Sequence, residues 1–332
     1  MDSADKAAAT PLDADQQVNV LLWLDGAQLF EQAILASSHA ARASVSTFKE
    51  AEHPPDDVLA RTDVVVAWRL PPGIMSRMPR LKWIQCQSAG VDDWLARPDL
   101  DPKVTLTGAR GIHRIQMPDT IIGALYSITK PFEEMRQFQA RREWGAVAPK
   151  FVAGRTLSIV GLGEIGCNLA KKAAALEMRV VGVKRTPAPV PGVDRVVGLD
   201  QMDEVLAEAD YVVVLLPVTP ATIDLFDARR FKAMKPSAWF LNFARGQLVV
   251  DDDLIGAVDS KTIAGAVLDV FRKEPLPAEH PFWSTENIII YPHIGGRHPR
   301  RSDFVVGLFK DNLDCFFSGR PLRSEIDRDR GY

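Results

Sequence analysis

The chain has 332 residues, 46% of them hydrophobic and 25% charged, with a formal net charge of −3. That length accommodates two domains with real cores, and the near-balanced charge gives no reason to expect nucleic acid as a partner. Three cysteines, Cys86, Cys167 and Cys315, lie in or beside apolar segments without C-x-x-C spacing, so buried reduced thiols in a cytoplasmic protein are expected, and no metal. No apolar run approaches the about eighteen residues of a membrane span. Residues 1–17 carry four aspartates and one lysine with no apolar stretch. They resemble neither a signal peptide nor a transit peptide and are expected to form a disordered lead-in.

Val18–Leu24 is a compact apolar run and the first expected strand, followed by a helix over Ala27–Ala36. Asp63–Trp68 is a short β-branched strand of the kind that a sheet covered on both faces uses. Leu81–Cys86 and Val104–Thr107 complete this α/β series, and Leu81–Cys86 runs into Gln87-Ser88-Ala89-Gly90. Gln116–Arg142 has helical composition, with Pro131 breaking or kinking it, and reads as a crossing into a second α/β series. There strands are expected at Thr156–Val160, Arg179–Val183, Tyr211–Leu216, Ala238–Phe243, Ile263–Leu268 and Asn287–Tyr291. Helices fall between most of them, at Glu164–Glu177, Met202–Ala209, Ala228–Met234 and Asp251–Val258, and a last helix spans Arg301–Phe317. Six strands with helical crossovers fit a doubly wound nucleotide-binding domain.

At the head of that series the run Leu157–Val160 enters Gly161-Leu162-Gly163-Glu164-Ile165-Gly166. The G-x-G-x-x-G spacing between a strand and a helix is the dinucleotide fingerprint. The first glycine turns the chain, the second admits a pyrophosphate, and the third lets helix pack on strand. The helix N-terminus then offers N–H groups and partial positive charge to the phosphates. The next strand ends in Val183-Lys184-Arg185-Thr186. An NAD site would place an acid there for the ribose 2′-OH, whereas two cations and a hydroxyl suit a 2′-phosphate. NADP(H) is therefore expected in preference to NAD(H), which stays possible. Solvated strand-end cations are the plainer alternative.

Three further strand ends carry chemistry. Leu241-Asn242-Phe243-Ala244-Arg245-Gly246 delivers an arginine, Leu268-Asp269-Val270-Phe271-Arg272-Lys273-Glu274-Pro275 two carboxylates, and Tyr291-Pro292-His293-Ile294-Gly295-Gly296 a histidine. Taken singly, each residue has an ordinary surface or structural reading. In this order they form an acid/base set.

With these motifs in view, the chain resembles the D-isomer-specific 2-hydroxyacid dehydrogenase family. The likeness covers about residues 60 to 332 and includes the tail Gly319-Arg320-Pro321-Leu322. It implies two Rossmann-like, doubly wound parallel-sheet α/β domains with a substrate cleft between them. The substrate domain would comprise residues 18–114 plus 297–332, and the dinucleotide domain residues 115–296. It implies catalytic roles for Arg245, Glu274 and His293. His293 would give the proton to a ketone as hydride arrives, Glu274 would orient the imidazole, and Arg245 would polarise the substrate. Imidazole suits that task because it ordinarily ionises near neutrality.

Asp269 would bond the nicotinamide carboxamide or otherwise set the ring, and Ser88, Ala89 and Gly90 would offer backbone N–H groups to the substrate carboxylate. Further cofactor contacts would come from Leu162, Glu164, Ile165, Leu216, Pro217, Thr222, Phe243, Ala244, Gly295 and Gly296. His113 would reach the cleft or serve a structural bond. Two departures stand out. Asp119 occupies a position where the family is expected to carry glutamate, and Lys184-Arg185 replace an acid, as in NADP-using members. The resemblance implies NADPH-dependent reduction of a small 2-keto acid to the D-2-hydroxy acid by a cytoplasmic homodimer. Phe132, Met135, Phe138 and Trp144 would lie at the dimer interface or in the core. The alternatives are an NAD-dependent dehydrogenase of the same family and a dinucleotide-sensing, corepressor-like binding protein.

Overall fold

The computed structural model describes residue 13 and residues 15–331. Residues 1–12 and 14, most of the expected lead-in, and Tyr332 lie outside the described residues. The chain divides into two compact units, Met1–Ile112 with His298–Tyr332, and His113–Arg297.

The first unit holds a five-stranded parallel sheet: β1 (Val18–Trp23), β2 (Ala43–Phe48), β3 (Val64–Ala67), β4 (Trp83–Cys86) and β5 (Thr105–Thr107), in the order β2-β1-β3-β4-β5. β3 and β4 are buried along their whole length. Such two-sided burial is why they read as unbroken apolar runs. Phe309 and Leu313 of the helix Arg301–Phe317 pack with Leu22, Val64 and Trp83 over one face of the sheet. Asn312 of that helix bonds the Gln85 side chain and the Arg323 backbone. The C-terminal end of β4 opens into Gln87–Gly90. Arg42 binds the carbonyls of Asp13 and Gln16, so the last residues before β1 are tied to the sheet.

The second unit holds seven parallel strands: β6 (Thr156–Val160), β7 (Arg179–Val183), β8 (Arg195–Val197), β9 (Tyr211–Val214), β10 (Trp239–Asn242), β11 (Gly265–Leu268) and β12 (Ile288–Ile290). Their order is β12-β11-β10-β9-β6-β7-β8. The chain winds outward from β6 in one direction and then returns to β9 on its other side. A doubly wound sheet places its ligand crevice at that reversal, beyond the C-terminal strand ends. Apolar layers built around Phe226, Phe231 and Phe240 on one face and Leu157, Leu169 and Leu241 on the other cover the sheet.

Both sheets are parallel α/β, as expected, and the helix Arg301–Phe317 matches residue for residue. The crossing segment divides at Pro131 into Gln116–Thr129 and Phe132–Arg141. β2 and β8 escape the hydrophobic pattern. Ala-Ser-Val-Ser-Thr-Phe is a small, polar edge strand, and Arg195–Val197 is three residues long and also an edge.

The glycine stretch turns the chain and packs helix on strand as its spacing predicts. Gly161 has φ +119°, and a Cβ there would lie 2.7 Å from the Leu215 carbonyl. A Cβ on Gly166 would run into the Gly161 carbonyl oxygen, so the helix Glu164–Ala175 sits against the turn. Gly163 has open space beside it. Gly166→Ala is therefore expected to destabilise the protein by about 1–3 kcal/mol through overpacking against backbone, whereas Gly163→Ala costs under about 1 kcal/mol. Thermal unfolding of the two variants checks this, and equal melting temperatures would contradict the packing role of Gly166.

Candidate active site

Three neighbouring strands of the second sheet deliver the chemistry. β10 ends at Asn242, which is buried. Its side chain accepts from the Ala244 N–H at 3.1 Å and donates to the Arg245 carbonyl at 2.8 Å. This closed turn fixes the backbone from which the half-buried Arg245 departs. Asn242 thus acts as a positioning residue. Its place within the motif was visible, but its task was not.

β11 ends at Leu268, and the next residue, Asp269, is fully buried. Its carboxylate accepts from the Ile294 N–H at 2.8 Å and from the Gly295 N–H at 3.0 Å to each oxygen. Burial pushes this carboxyl up to about 6, against the pull of those N–H groups and of the His293 charge. Asp269 therefore spends its oxygens on the backbone beyond β12, and its action on a ring passes through that loop. A Cβ on Gly295 would lie 2.6 Å from the Asp269 carboxylate, so only glycine lets the loop come this close.

The loop carries His293, whose φ of +51° is unusual for a residue with a side chain. Strain of this kind persists only where surrounding bonds impose it. The His293 N–H donates to Tyr291 O at 2.9 Å, and the next two N–H groups are held by Asp269. Thr120 adds a bond from its hydroxyl to Gly295 O at 3.2 Å, and His113 Nδ1 lies 2.9 Å from Gly296 O. His113 is thus bonded to the loop backbone.

His293 Nδ1 lies 2.6 Å from Glu274 Oε2. The other oxygen, Glu274 Oε1, accepts from the Phe271 N–H at 2.9 Å. Burial pushes Glu274 upward, but the bonds from His293 and Phe271 and the charges of His293 and Arg245 outweigh it and hold the carboxyl below its usual range. Glu274 is an ionised, fixed partner that orients the ring and leaves the Nε2 edge for other work. The imidazole is about half exposed.

Beyond β6, a hollow of about 610 Å³ opens at the start of the helix Glu164–Ala175. Gly163, Glu164, Lys184, Arg114 and Lys171 line it. Arg114 and Lys171 join the predicted Lys184 there. Neither was singled out, because they lie far apart in sequence and outside the motif. Arg185 and Thr186 are exposed and do not line the hollow. Leu162 turns its side chain into the core against Gly182, leaving only its backbone for the phosphate turn. The buried Thr222 hydroxyl donates to Pro217 O and accepts from the Thr219 N–H, both at 2.8 Å, and so closes the loop after β9. Asp119 pairs with Lys172, joining the crossing helix to the helix after the glycines. Ile165, Leu216 and Pro217 are partly buried, while Phe243 and Ala244 are buried after β10.

In the first unit, Ser88 O accepts from the Ala109 N–H at 2.8 Å, and the Ser88 hydroxyl donates to Gly90 O. Among the described residues no acceptor engages the Ala89 or Gly90 N–H. Also among the described residues, no cluster of three metal-binding side chains occurs, and no helix is long and apolar enough to cross a membrane.

The profile of the D-isomer specific 2-hydroxyacid dehydrogenase family, NAD binding domain, matches residues 122–295. The chain belongs to that family. It is 32% identical to glyoxylate/hydroxypyruvate reductase A of Serratia proteamaculans over 239 residues, 70% of this chain and 76% of that one. A crystal structure of a D-isomer specific 2-hydroxyacid dehydrogenase family protein from Aeromonas salmonicida superposes with a TM-score of 0.83 at 31% identity, covering 95% of this chain and all of that one. An NADPH-dependent glyoxylate/hydroxypyruvate reductase from Sinorhizobium meliloti, solved with NADP and sulfate, gives a TM-score of 0.82 at 28% identity, over 95% of this chain and all of that one. As a D-isomer specific 2-hydroxyacid dehydrogenase family member, this chain is an oxidoreductase, and its matched part is the family's NAD-binding domain.

The raised Asp269 carboxyl has a defined sign in stability. The folded protein holds this proton more tightly than the unfolded chain, in which the group ionises near about 4. The contribution is full below about pH 4 and is lost as pH rises through about 6. The melting temperature of wild type minus that of Asp269→Asn, which cannot ionise, is expected to fall across that window and stay level above about pH 7. A flat difference would show that Asp269 titrates elsewhere.

Proposed function

We propose that this protein reduces a small 2-oxo acid, of the glyoxylate or hydroxypyruvate kind, to the D-2-hydroxy acid with NADPH. The observation that carries this reading is the His293–Glu274 pair, 2.6 Å apart, on a loop held by buried Asp269. The relatives named as glyoxylate/hydroxypyruvate reductases support the substrate class.

Bound NADPH would supply the hydride. Ionised Glu274, accepting from Nδ1–H, fixes the orientation of the ring, so the Nε2 edge faces outward. As the carbonyl carbon gains hydride, the carbonyl oxygen takes the Nε2 proton, and His293 becomes neutral beside Glu274. Arg245 donates to the substrate's oxygens and draws electron density from the carbonyl. The Ala89 and Gly90 N–H groups take the carboxylate.

The chain's own residues suit NADPH. Gly163 has open space where the pyrophosphate would approach. Arg114, Lys171 and Lys184 surround the hollow next to it. No ion pair or hydrogen bond to a carboxylate engages these three side chains among the described residues. A 2′-phosphate supplies the missing negative charge.

A homodimer is part of the same proposal. Phe132, Met135, Trp144 and Phe151 are 51%, 55%, 104% and 76% exposed, on and just beyond the helix Phe132–Arg141. So much exposed aromatic surface on one arm suits a second copy of the chain.

Purified protein mixed with NADPH or NADH and a panel of 2-oxo acids, followed by nicotinamide absorbance, tests the activity. His293→Ala is expected to lower kcat by about 10²- to 10⁴-fold, and near-full reduction by this variant would remove His293 as the proton donor. Lys184→Glu is expected to raise KM for NADPH by about 10- to 100-fold and to change KM for NADH far less. Equal effects on both cofactors would sink the phosphate role. Light scattering is expected to find a dimer for wild type and a monomer for Met135→Glu, and a monomeric wild type would refute the interface.

A further inference from the structure

Arg301 is the first residue of the helix Arg301–Phe317 and is partly buried. Its guanidinium lies over the Trp68 ring, 4.2 Å from the centroid, and donates to the Gln87 carbonyl. No carboxylate pairs with it among the described residues. Some other partly buried arginines do have a carboxylate. Arg97, with 14% side-chain exposure, pairs with Asp99 at 2.8 Å, and Arg230, at 13%, pairs with Asp203. A cation withdrawn from water without a counter-ion is costly, and folds keep one where something else brings the charge. Burial pulls Arg301 below its usual range, and a guanidinium nevertheless stays charged at any physiological pH. The neighbouring Cys86 cannot serve as counter-ion, because burial pushes its thiol up and keeps it neutral.

Two further positive elements meet at this place. Gln87, to which Arg301 donates, directly precedes the loop whose Ala89 and Gly90 N–H groups find no acceptor. The positive end of a seventeen-residue helix lies at Arg301 itself. Guanidinium, two N–H groups without an acceptor and a helix end are thus all positive elements within the first unit.

We propose that Arg301 anchors the substrate carboxylate together with the Ala89 and Gly90 N–H groups. This rests on the reading of the chain as a 2-oxo acid reductase. Trp68 holds the guanidinium plane by stacking, and the Gln87 carbonyl takes one N–H, which leaves the remaining edge for a bidentate grip on the acid. Arg301 is a binding residue for the carboxylate and has no part in the proton transfer.

Calorimetric titration of oxamate, a non-reacting 2-oxo acid mimic, into the NADPH-loaded full-length protein provides the test. Arg301→Gln is expected to weaken oxamate binding by about 10- to 100-fold. KM for glyoxylate should rise to match, with kcat within a few-fold of wild type. The preference for glyoxylate over its uncharged methyl ester should collapse, a change that loss of folding alone would not give. Arg300→Gln is a control, because Arg300 is 78% exposed and pairs with Asp303, and it should behave as wild type.

Oxamate affinity within twofold of wild type in folded Arg301→Gln overturns the proposal, as does wild type that binds no oxamate. If Arg301→Gln does not fold, Arg301→Lys decides by the same titration. An ammonium cannot reproduce the stacked fork, so a several-fold loss supports the role and unchanged affinity refutes it. Wild type that binds oxamate in an Arg301-dependent way yet reduces no 2-oxo acid would reject the reductase reading and leave the anion site standing.

Discussion

A carboxylate with no exposure, set one residue beyond a strand end, holds the active-site loop in place. Asp269 accepts the N–H groups of Ile294 and Gly295, and everything that His293 does depends on that grip. The imidazole stands on a backbone with φ +51°, a conformation that a residue with a side chain adopts reluctantly. Two successive N–H bonds to one buried group impose it. The burial that raises Asp269 to about 6 is the cost of this arrangement, and the gain is a ring delivered to Glu274 at 2.6 Å. Each partner is held from behind: Glu274 by the Phe271 N–H, Arg245 by the Asn242 turn, and the His293 loop by Asp269, Thr120 and His113. Reactive side chains on strand-end loops need such backing, because loop backbone has no ladder of its own.

The parallel sheet explains why the chemistry gathers where it does. All seven strands of the second unit run the same way, so all their C-terminal ends lie on one edge. β10, β11 and β12 are neighbours, and beyond them His293 meets Glu274 at 2.6 Å while the Arg245 charge acts on the same carboxylate. β6 and β9 are neighbours at the reversal of strand order, and there the Gly161 turn packs on Leu215 so tightly that a side chain is excluded. The glycine turn and the His293 loop are thus two products of one strand order, separated along the same edge.

The fold was legible because buried parallel strands such as Val64–Ala67 and Thr156–Val160 leave nearly unbroken apolar runs, and because the glycine spacing marks a strand–turn–helix. What escaped was edge structure. Ala43–Phe48 and Arg195–Val197 bury too little to write a pattern. The Arg245, Glu274 and His293 set was legible as residue types at strand ends, while the bonds that position it were not. Asp269 reads equally well as a cofactor ligand or a loop clamp until its N–H donors are seen. Thr222 looks like a ligand contact until its hydroxyl is found closing the turn to Pro217 and Thr219. Arg114 and Lys171 carry no motif, and only folding brings them beside Lys184.

Charge satisfaction separates the scaffold from the sites more sharply than residue type does. Most arginines described in this protein have a carboxylate in reach, including the surface pairs Arg141–Glu143 and Arg179–Glu208, which contribute little to stability. The buried carboxylate Asp63, just before β3, has both the Asn19 amide and Arg80. Lys184 with its two basic neighbours, and Arg301 on its indole, have no carboxylate partner among the described residues. Each lies beside backbone N–H groups suited to an anion: the helix start after Gly163 in one case and the Ala89–Gly90 turn in the other. A phosphate-bearing cofactor and a carboxylate substrate are the two anions that the proposed reaction would bring to them.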